Sequence, residues 1–306
     1  MNKKLSGSSL KQEKGQVIVL FAILLTFLIG ITAFTVDVGY LQWQKRNLQN
    51  AADASSLAGA REFIDGNIND IYSVVLDYVI EHGLESGDID NVNYDIVPWP
   101  HVTVELDINR DVFFARVMDF EDADIGARAT AVVWPLSVGE GLIPVAFKEE
   151  VYLAAEPGDE GLDFIAFHTM GSGNWGTLSF EGTGTGQTPP KIAEYIRDGF
   201  PGTVTIADPD VFSAPGAAGS GAQPTVNNAL RSRIGEISYV PIVREEVSGS
   251  EWVEVVGFAA VIFTYVTPHP AAAGVEVKGT FIKTIGVGNI DPSAPDFGLK
   301  GIALLE

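Results

Sequence analysis

The strongest pattern in the chain is an uncharged run of 20 residues, from Val17 to Val36, near the start of the sequence. As a helix that rises about 1.5 Å per residue, this run would cross the roughly 30 Å of a bilayer core. Four lysines and one glutamate precede it. Because basic residues favour the cytoplasmic side, the pattern predicts a cytoplasmic basic tail at residues 1–16, a transmembrane helix at residues 17–36 and an extracellular remainder.

A cleaved secretory signal is the competing interpretation of the same run. The apolar core of such a signal normally has about 7–15 residues and ends at a small-x-small cleavage site. The first such triplet after the run is Ala58-Gly59-Ala60, more than 20 residues downstream. Length and spacing therefore favour an uncleaved, single-pass anchor in the cell membrane.

The segment at residues 37–68 contains no proline and consists mostly of good helix formers. The transmembrane helix is therefore expected to continue out of the membrane. Small residues recur four positions apart on this extension, at Ala51, Ser55 and Gly59 and again at Ala54 and Ala58. Such a face lets another backbone approach closely. It can pack on the protein's own folded part or on sister helices in an assembly, and both interpretations stay open.

The remaining chain divides near residues 135–141 into a predicted small α+β domain at residues 69–140 and a β-rich ectodomain at residues 141–306. In the first, the spacing of apolar residues predicts a helix over 69–81 that stops at Gly83. Strands are predicted at 93–97, 102–108 and 125–134, with a short helix at 112–118. In the second, strands are predicted at 143–148, 151–155, 163–169, 238–245, 252–265 and 275–285, and helices at 189–198 and 225–234. The expected fold class is α+β, with the long helix continuing into a small pilin-like domain.

A polar helical signature follows the apolar run in a fixed order. The run opens with Lys14-Gly15-Gln16-Val17, and after it come Asp37-Val38-Gly39 and the stretch from Arg46 to Ala60. Over about 46 residues this combination resembles the N-terminal segment of TadG-like proteins, which belong to the Tad (tight adherence, Flp-type) pilus-assembly systems. Residues 101–106, 113–116 and 127–132 resemble the strand, Phe-Phe-Ala helix and strand that often follow in that family. The resemblance implies a membrane-anchored, non-enzymatic component of a surface-appendage system.

The chain departs from type IV pilins and their relatives at one position. Those proteins are usually cut after a glycine and carry a glutamate five residues into the mature chain, where it pairs with a neighbouring N-terminal amine. Counted from Gly15, the fifth residue is Leu20, and no acidic residue follows before Asp37. An unpaired carboxylate is costly in a membrane, so such a glutamate is expected only in a subunit that forms this pairing. Its absence argues against a bulk fibre subunit, although a pilin-like subunit that polymerises through its N-terminal helix is kept as the alternative function.

Together, the helix pattern and the resemblance predict roles in helix packing and assembly for eight residues: Asp37, Gly39, Leu48, Ala51, Ala52, Ser55, Ala58 and Gly59. Low exposure is expected along the small-residue face, at Leu41, Leu48, Ala51, Ala52, Ser55 and Ala58. Asp37 either marks the outer membrane–water boundary or pairs with a basic residue. Lys45 and Arg46 lie two turns or more along the helix, too far for a neighbour contact on the same helix. A partner of Asp37 must therefore come from another element or from another protein.

Composition and charge argue against several classes of function. The 306 residues carry a net charge of −21, yet residues 1–46 hold 6 of the 19 basic residues and only 2 of the 40 acidic ones. The ectodomain is thus strongly acidic and should repel nucleic acid. With no cysteine there is neither a disulfide nor thiol chemistry. Scattered histidines and short acidic clusters give no metal-ligand or catalytic spacing, so no catalytic residue, metal or cofactor is predicted.

The interpretation is a non-enzymatic, membrane-anchored surface protein in Tad/Flp-type pilus assembly or adhesion. Expected partners are the lipid bilayer, other pilus-assembly or pilin proteins, and a second copy of this chain through the N-terminal helix. A surface hydrolase or ligand-binding receptor within residues 142–306 is a third hypothesis, which a pocket with convergent polar groups would favour.

Overall fold

The structure is a computed structural model that describes residues 10–158, 161–169, 172–173, 175–181, 188–208, 211–213, 224–244, 252–268 and 275–305. Most of the expected cytoplasmic tail lies outside these residues. The α+β class is confirmed, because a long N-terminal apolar helix precedes a region built largely from β-sheets.

Helix α1 runs without interruption over Leu10–Asp65 and contains the whole apolar run. Three threonine hydroxyls in the run donate to backbone carbonyls four residues earlier on the same helix, at 2.9 Å for Thr26, 2.9 Å for Thr32 and 2.8 Å for Thr35. Their donors are therefore satisfied without water, as a lipid environment requires. Beyond a turn at Gly66, which has a φ of +81°, helix α2 covers Ile71–Glu81.

The first sheet has five strands in the order β1-β2-β3-β16-β15. Its members are β1 (Ile89–Asp95), β2 (His101–Asp111), β3 (Asp122–Pro135), β15 (Thr284–Ile285) and β16 (Leu299–Leu305). Alternate residues of β2 are buried along much of its length, which is typical of a sheet with one face on a core. Strand β16 pairs antiparallel with β3, from Lys300 opposite Pro135 to Leu305 opposite Thr130.

The second sheet has nine strands, with β11-β9-β5-β12-β13-β14-β7-β6 in order and β8 paired to β7. Its strands are β5 (Val145–Lys148), β6 (Glu156–Pro157), β7 (Leu162–Thr169), β8 (Ser172–Gly173), β9 (Trp175–Ser179), β11 (Phe212–Ser213), β12 (Ile237–Val243), β13 (Val255–Val266) and β14 (Val275–Ile282). A separate pair joins β4 (Val138–Glu140) to β10 (Thr203–Thr205).

Among the described residues, three helices accompany the second sheet: α3 (Glu149–Leu153), α4 (Pro189–Asp198) and α5 (Pro224–Ser232). Apolar residues of α4 and α5 join one core with Phe147, whose ring meets that of Phe164 edge-on at 4.9 Å. The predicted helix over 189–198 matches α4, because the Thr188-Pro189 start signal is strong and local. These contacts make a continuous apolar layer between the helices and the sheet.

The chain forms two compact units, and neither is contiguous in sequence. The first comprises the chain up to Ser56 together with Val75–Asn93 and Thr103–Ala129, and the second comprises the remaining segments. The predicted boundaries at residues 68/69 and 140/141 stay predictions.

Two predicted elements differ from those observed. Residues 151–155 were predicted as a strand, but Glu149–Leu153 is helical, since two glutamates in the first turn favour a helix N-terminus. The helix predicted over 112–118 is a shorter 3₁₀ turn at Ala115–Met118 that ends at Asp119, a residue with a left-handed φ of +63°. A short apolar run is compatible with the period of a helix and with that of a strand, and its length does not distinguish the two.

Gly83 ends α2 with a φ of +80° and has open space where a Cβ would lie. Replacing Gly83 by Ala should therefore destabilise the fold by about 1–2 kcal/mol through backbone strain alone. Gly87 also has open space around a Cβ, but its φ lies outside the left-handed range, so Gly87→Ala is the matched control and should not destabilise. Urea unfolding of both variants measures the difference. Equal stability of the two variants would show that alanine at position 83 carries no backbone strain.

Candidate functional site at the end of the apolar run

A buried carboxylate lies at Asp37, the first charged residue after the apolar run. Its side chain is only 4% exposed. Oδ1 accepts a hydrogen bond from the backbone N–H of Phe113 at 3.0 Å. Oδ2 accepts from Phe114 at 2.9 Å and from Ala115 at 2.7 Å. One carboxylate thus binds three consecutive backbone amides that lie 76 to 78 residues away in sequence.

The local sequence explains why three amides point the same way. Strand β2 ends at Asp111, and the chain then turns into the 3₁₀ helix that starts at Ala115. The first N–H groups of a helical turn have no partner within it, and together they form a site for an anion. The carboxylate of Asp37 on α1 is that anion, so it caps the 3₁₀ helix from a distant part of the sequence.

The pKa of Asp37 reflects this environment. Burial raises the pKa, but hydrogen bonds from the backbone amides of Ala115, Phe113 and Phe114 outweigh it, and the pKa lies below the usual value of 3.8. The side chain is therefore a carboxylate at neutral pH, with an arrangement of donors that only a carboxylate can satisfy fully.

Within the described part of this chain, the hydrogen-bond partners of Asp37 are backbone amides rather than a lysine or arginine. These partners do lie on another element, as the helix geometry required. A basic partner on another protein stays a prediction. The Phe113-Phe114-Ala115 stretch was noticed in the sequence only as part of a family-like pattern. Nothing in its side chains indicates a backbone anion site, since every residue except proline carries a backbone N–H.

Two further contacts tie α1 to the same region. Tyr40, one turn after Asp37, packs its ring edge-on against Phe113 with 5.3 Å between centroids. Farther along, Gln49 Nε2 donates to the carbonyl oxygen of Arg128 in β3 at 2.9 Å and to Asp53 Oδ1 at 2.8 Å. Helix α1 is therefore joined to the β2–β3 region both near Asp37 and near Gln49.

The predicted packing residues fall into three groups by exposure. Leu48, Ala51, Ala52, Ser55 and Gly59 are buried. Ala58 and Leu41 are only partly buried, and Gly39 is exposed with nothing near the position of a Cβ. Asp37 lies apart from this buried stripe, in the amide site described above. The assembly roles assigned to these residues stay predictions.

The apolar run itself is exposed over its whole length. Among the described residues, one helix is long and apolar enough to cross a membrane, with a mean hydropathy of 2.9, and its apolar stretch is not buried in the protein. Its side chains from Val17 to Phe34 face the surroundings with few exceptions. This helix fits a single-pass membrane anchor.

Features of a chemical site are sparse in the part of the chain that the structure describes. There, no group of three or more His, Cys, Asp or Glu side chains is placed to hold a metal ion. An open cavity of about 820 Å³ beside β7 and β14 is lined by Glu150, Asp163 and Lys278 among others. Asp163 accepts a 2.6 Å hydrogen bond from Thr280, and Lys278 pairs with Glu276 at 3.1 Å, so two of these charged groups already have partners.

In a comparison with known proteins, the N-terminal segment matches the model of a described family. Residues 15–62 match the family model for putative Flp pilus-assembly TadE/G-like proteins. The resemblance found in the sequence is therefore confirmed over this segment, which contains the apolar run, Asp37 and the small-residue face. No curated protein and no solved structure matches the chain.

Proposed function

We propose that this protein is a non-enzymatic, membrane-anchored surface component that acts in the assembly, or in the adhesion, of a Tad/Flp-type pilus. The observation that carries the proposal is the match of residues 15–62 to the pilus-assembly TadE/G-like family. The matched segment holds the exposed apolar run and the carboxylate that attaches α1 to the β2–β3 region. Through this segment the family-like part is joined to the folded part of the first unit.

The proposed topology follows from charge. The lysines before the run keep the N-terminus cytoplasmic, and the acidic chain after Asp37 lies outside the cell. The partners are the bilayer, other pilus-assembly or pilin proteins and, through the N-terminal helix, other copies of this chain. Nucleic acid is not a partner, since the acidic surface repels phosphate.

A strain that lacks the gene tests the proposal directly. We expect that strain to lose surface appendages in electron micrographs and to adhere less to surfaces than the parent. Complementation with the wild-type gene should restore both. Normal appendages together with normal adhesion in the deletion strain would overturn the proposal.

The alternative is a pilin-like subunit that itself polymerises through α1. The exposed apolar run favours it as well, because a filament core can cover such a helix as a bilayer does. Leu20, in place of the glutamate of polymerising pilins, argues against it. Purified filaments decide between the two: this chain as the major protein would establish the alternative, and its presence in traces or not at all would support an accessory role.

A further inference from the structure

A cluster of exposed apolar side chains lies between β2 and β3. The connecting segment, residues 112–121, is here called the Phe113 loop. Phe113 is 61% exposed, Phe114 49%, Val117 90% and Phe120 64%. Three phenylalanines and a valine within eight residues make an apolar tip that water solvates poorly, and such patches mark binding surfaces.

The height at which this loop is held along α1 indicates which surface covers its apolar side chains. The backbone amides of Phe113, Phe114 and Ala115 lie 2.7 to 3.0 Å from the carboxylate of Asp37. Asp37 directly follows the apolar run, whose last residue, Val36, is itself exposed. When residues 17–36 fill the bilayer core, the Phe113 loop is therefore held at the level where the helix leaves it.

Neighbouring aromatic residues have the same placement. Trp43, two turns after Val36, is 56% exposed, and the ring of Tyr40 packs between the rings of Trp43 and Phe113 at centroid distances of 6.2 and 5.3 Å. Tryptophan and tyrosine are enriched where the bilayer core meets its headgroups. The aromatic residues of α1 and of the Phe113 loop thus form one belt at that level.

Charges within and beside the loop limit its depth. Asp111 and Arg116 form an ion pair at 2.9 Å, and Asp119, Glu121 and Asp122 follow in the sequence up to the start of β3. These carboxylates must stay in water, so the loop can enter only as far as the headgroup–acyl boundary. Because acidic residues outnumber basic ones here, the matching lipids carry no net charge.

We propose that the Phe113 loop inserts Phe113, Phe114, Val117 and Phe120 into the bilayer surface at which α1 emerges, and so makes a second membrane contact beside the helix. This contact does not depend on the pilus role. With two attachment points, the first unit keeps one orientation and one height relative to the bilayer instead of pivoting about a single helix.

The absence of cysteine permits a clean test on the full-length chain. Val117→Cys introduces a single thiol at the most exposed position of the loop, and an environment-sensitive nitrobenzoxadiazole label is attached to it. The protein is reconstituted into vesicles of phosphatidylcholine that contain lipids with a nitroxide near the headgroup end of the acyl chain. We expect a blue-shifted emission and quenching severalfold stronger than for a label held in water.

Ile80→Cys is the matched control, because Ile80 is an aliphatic residue on a helix and is 52% exposed. From Asp37 to the end of α1 the helix rises about 42 Å, and α2 spans only about 15 Å, so Ile80 stays far from the level of Asp37. Its label should show neither shift nor quenching. In a second variant of the labelled protein, Phe114→Ser with Phe120→Ser should return the label at position 117 toward the control values.

Two results would overturn the proposal. A label at position 117 that behaves like the one at position 80 would place the loop in water. A blue-shifted label that lipid nitroxides do not quench would show that protein, rather than lipid, covers the loop. Neither result bears on the pilus role, since the assay contains only the purified chain and lipid.

Discussion

Replacing Asp37 by Asn is expected to release the Phe113 loop from α1 and to abolish appendage assembly, although the chain still inserts into the membrane. Asparagine keeps one acceptor oxygen but replaces the other by an NH₂ group. If its oxygen keeps the two hydrogen bonds from Phe114 and Ala115, the NH₂ group faces the amide of Phe113, which now lies 3.0 Å from Oδ1. At least one hydrogen bond is therefore lost, and two donors face each other at a buried position.

The variant also has a pH signature that separates the carboxylate from simple packing. Because folding lowers the pKa of Asp37 below its usual value of 3.8, its contribution to stability is present above that value and is lost as the pH falls through the folded pKa. The stability difference between the wild-type protein and Asp37→Asn should therefore be constant near neutral pH. It should shrink progressively below about pH 4.

Amide hydrogen exchange of the full-length protein in nanodiscs measures the effect at the site itself. In the wild type, Phe113, Phe114 and Ala115 should exchange slowly, and in Asp37→Asn they should exchange markedly faster. Asp53→Asn is the control, because Asp53 accepts from the Gln49 amide and the oxygen of an asparagine can still do so. Unchanged protection at residues 113–115 in Asp37→Asn would refute the amide site as a structural junction.

Replacing Ser55 by Leu is expected to destabilise the first unit by about 1–3 kcal/mol and to impair assembly with it. Ser55 is fully buried, and its hydroxyl donates to the carbonyl of Ala52 on its own helix at 3.2 Å. Ala51 and Ala52 on the same stripe are also fully buried. A leucine side chain adds three carbon atoms at a position where the surrounding atoms leave no room for them, so α1 must shift.

Ala54→Leu is the matched control for this prediction, because Ala54 is the preceding residue on the same helix and is only partly buried. Its larger side chain can point away from the packed face and should change stability little. Thermal unfolding of both variants, together with appendage counts on complemented cells, gives the two readouts. If both variants were as stable as the wild type, the buried stripe would not be closely packed.

Several elements follow from local signals in the sequence alone. The apolar run and its helical extension predict α1, since 20 uncharged residues and the proline-free segment after them leave little choice. Helix α4 starts where Pro189 follows Thr188, and α2 ends before Gly83, whose φ of +80° only glycine adopts easily. These signals depend on neighbours in sequence, and single-chain patterns report such neighbours well.

The features that depend on distant neighbours were missed. The partner of Asp37 is a set of backbone amides 76 to 78 residues away, and no side-chain pattern marks them. Strand β16, over Leu299–Leu305, was not predicted, because its short apolar sequence becomes a strand only beside β3. The buried stripe at Ala51 and Ser55 was expected to be buried, but the sequence could not decide which surface covers it.

The pairing of β16 with β3 has a consequence for the order of events during export. The free edge of residues 130–135 in β3 is closed only when residues 300–305 are present, and the paired residues lie 165 to 175 positions apart. In the proposed topology the N-terminus stays in the cytoplasm and the chain after Asp37 crosses the membrane. Residues 130–135 then reach the outside before residues 300–305 and emerge with this edge open, while α1 is already in the bilayer. A chain that stalls or is cut before residue 299 keeps an unpaired strand edge that proteases and chaperones can reach. Closure of the sheet therefore depends on the presence of β16.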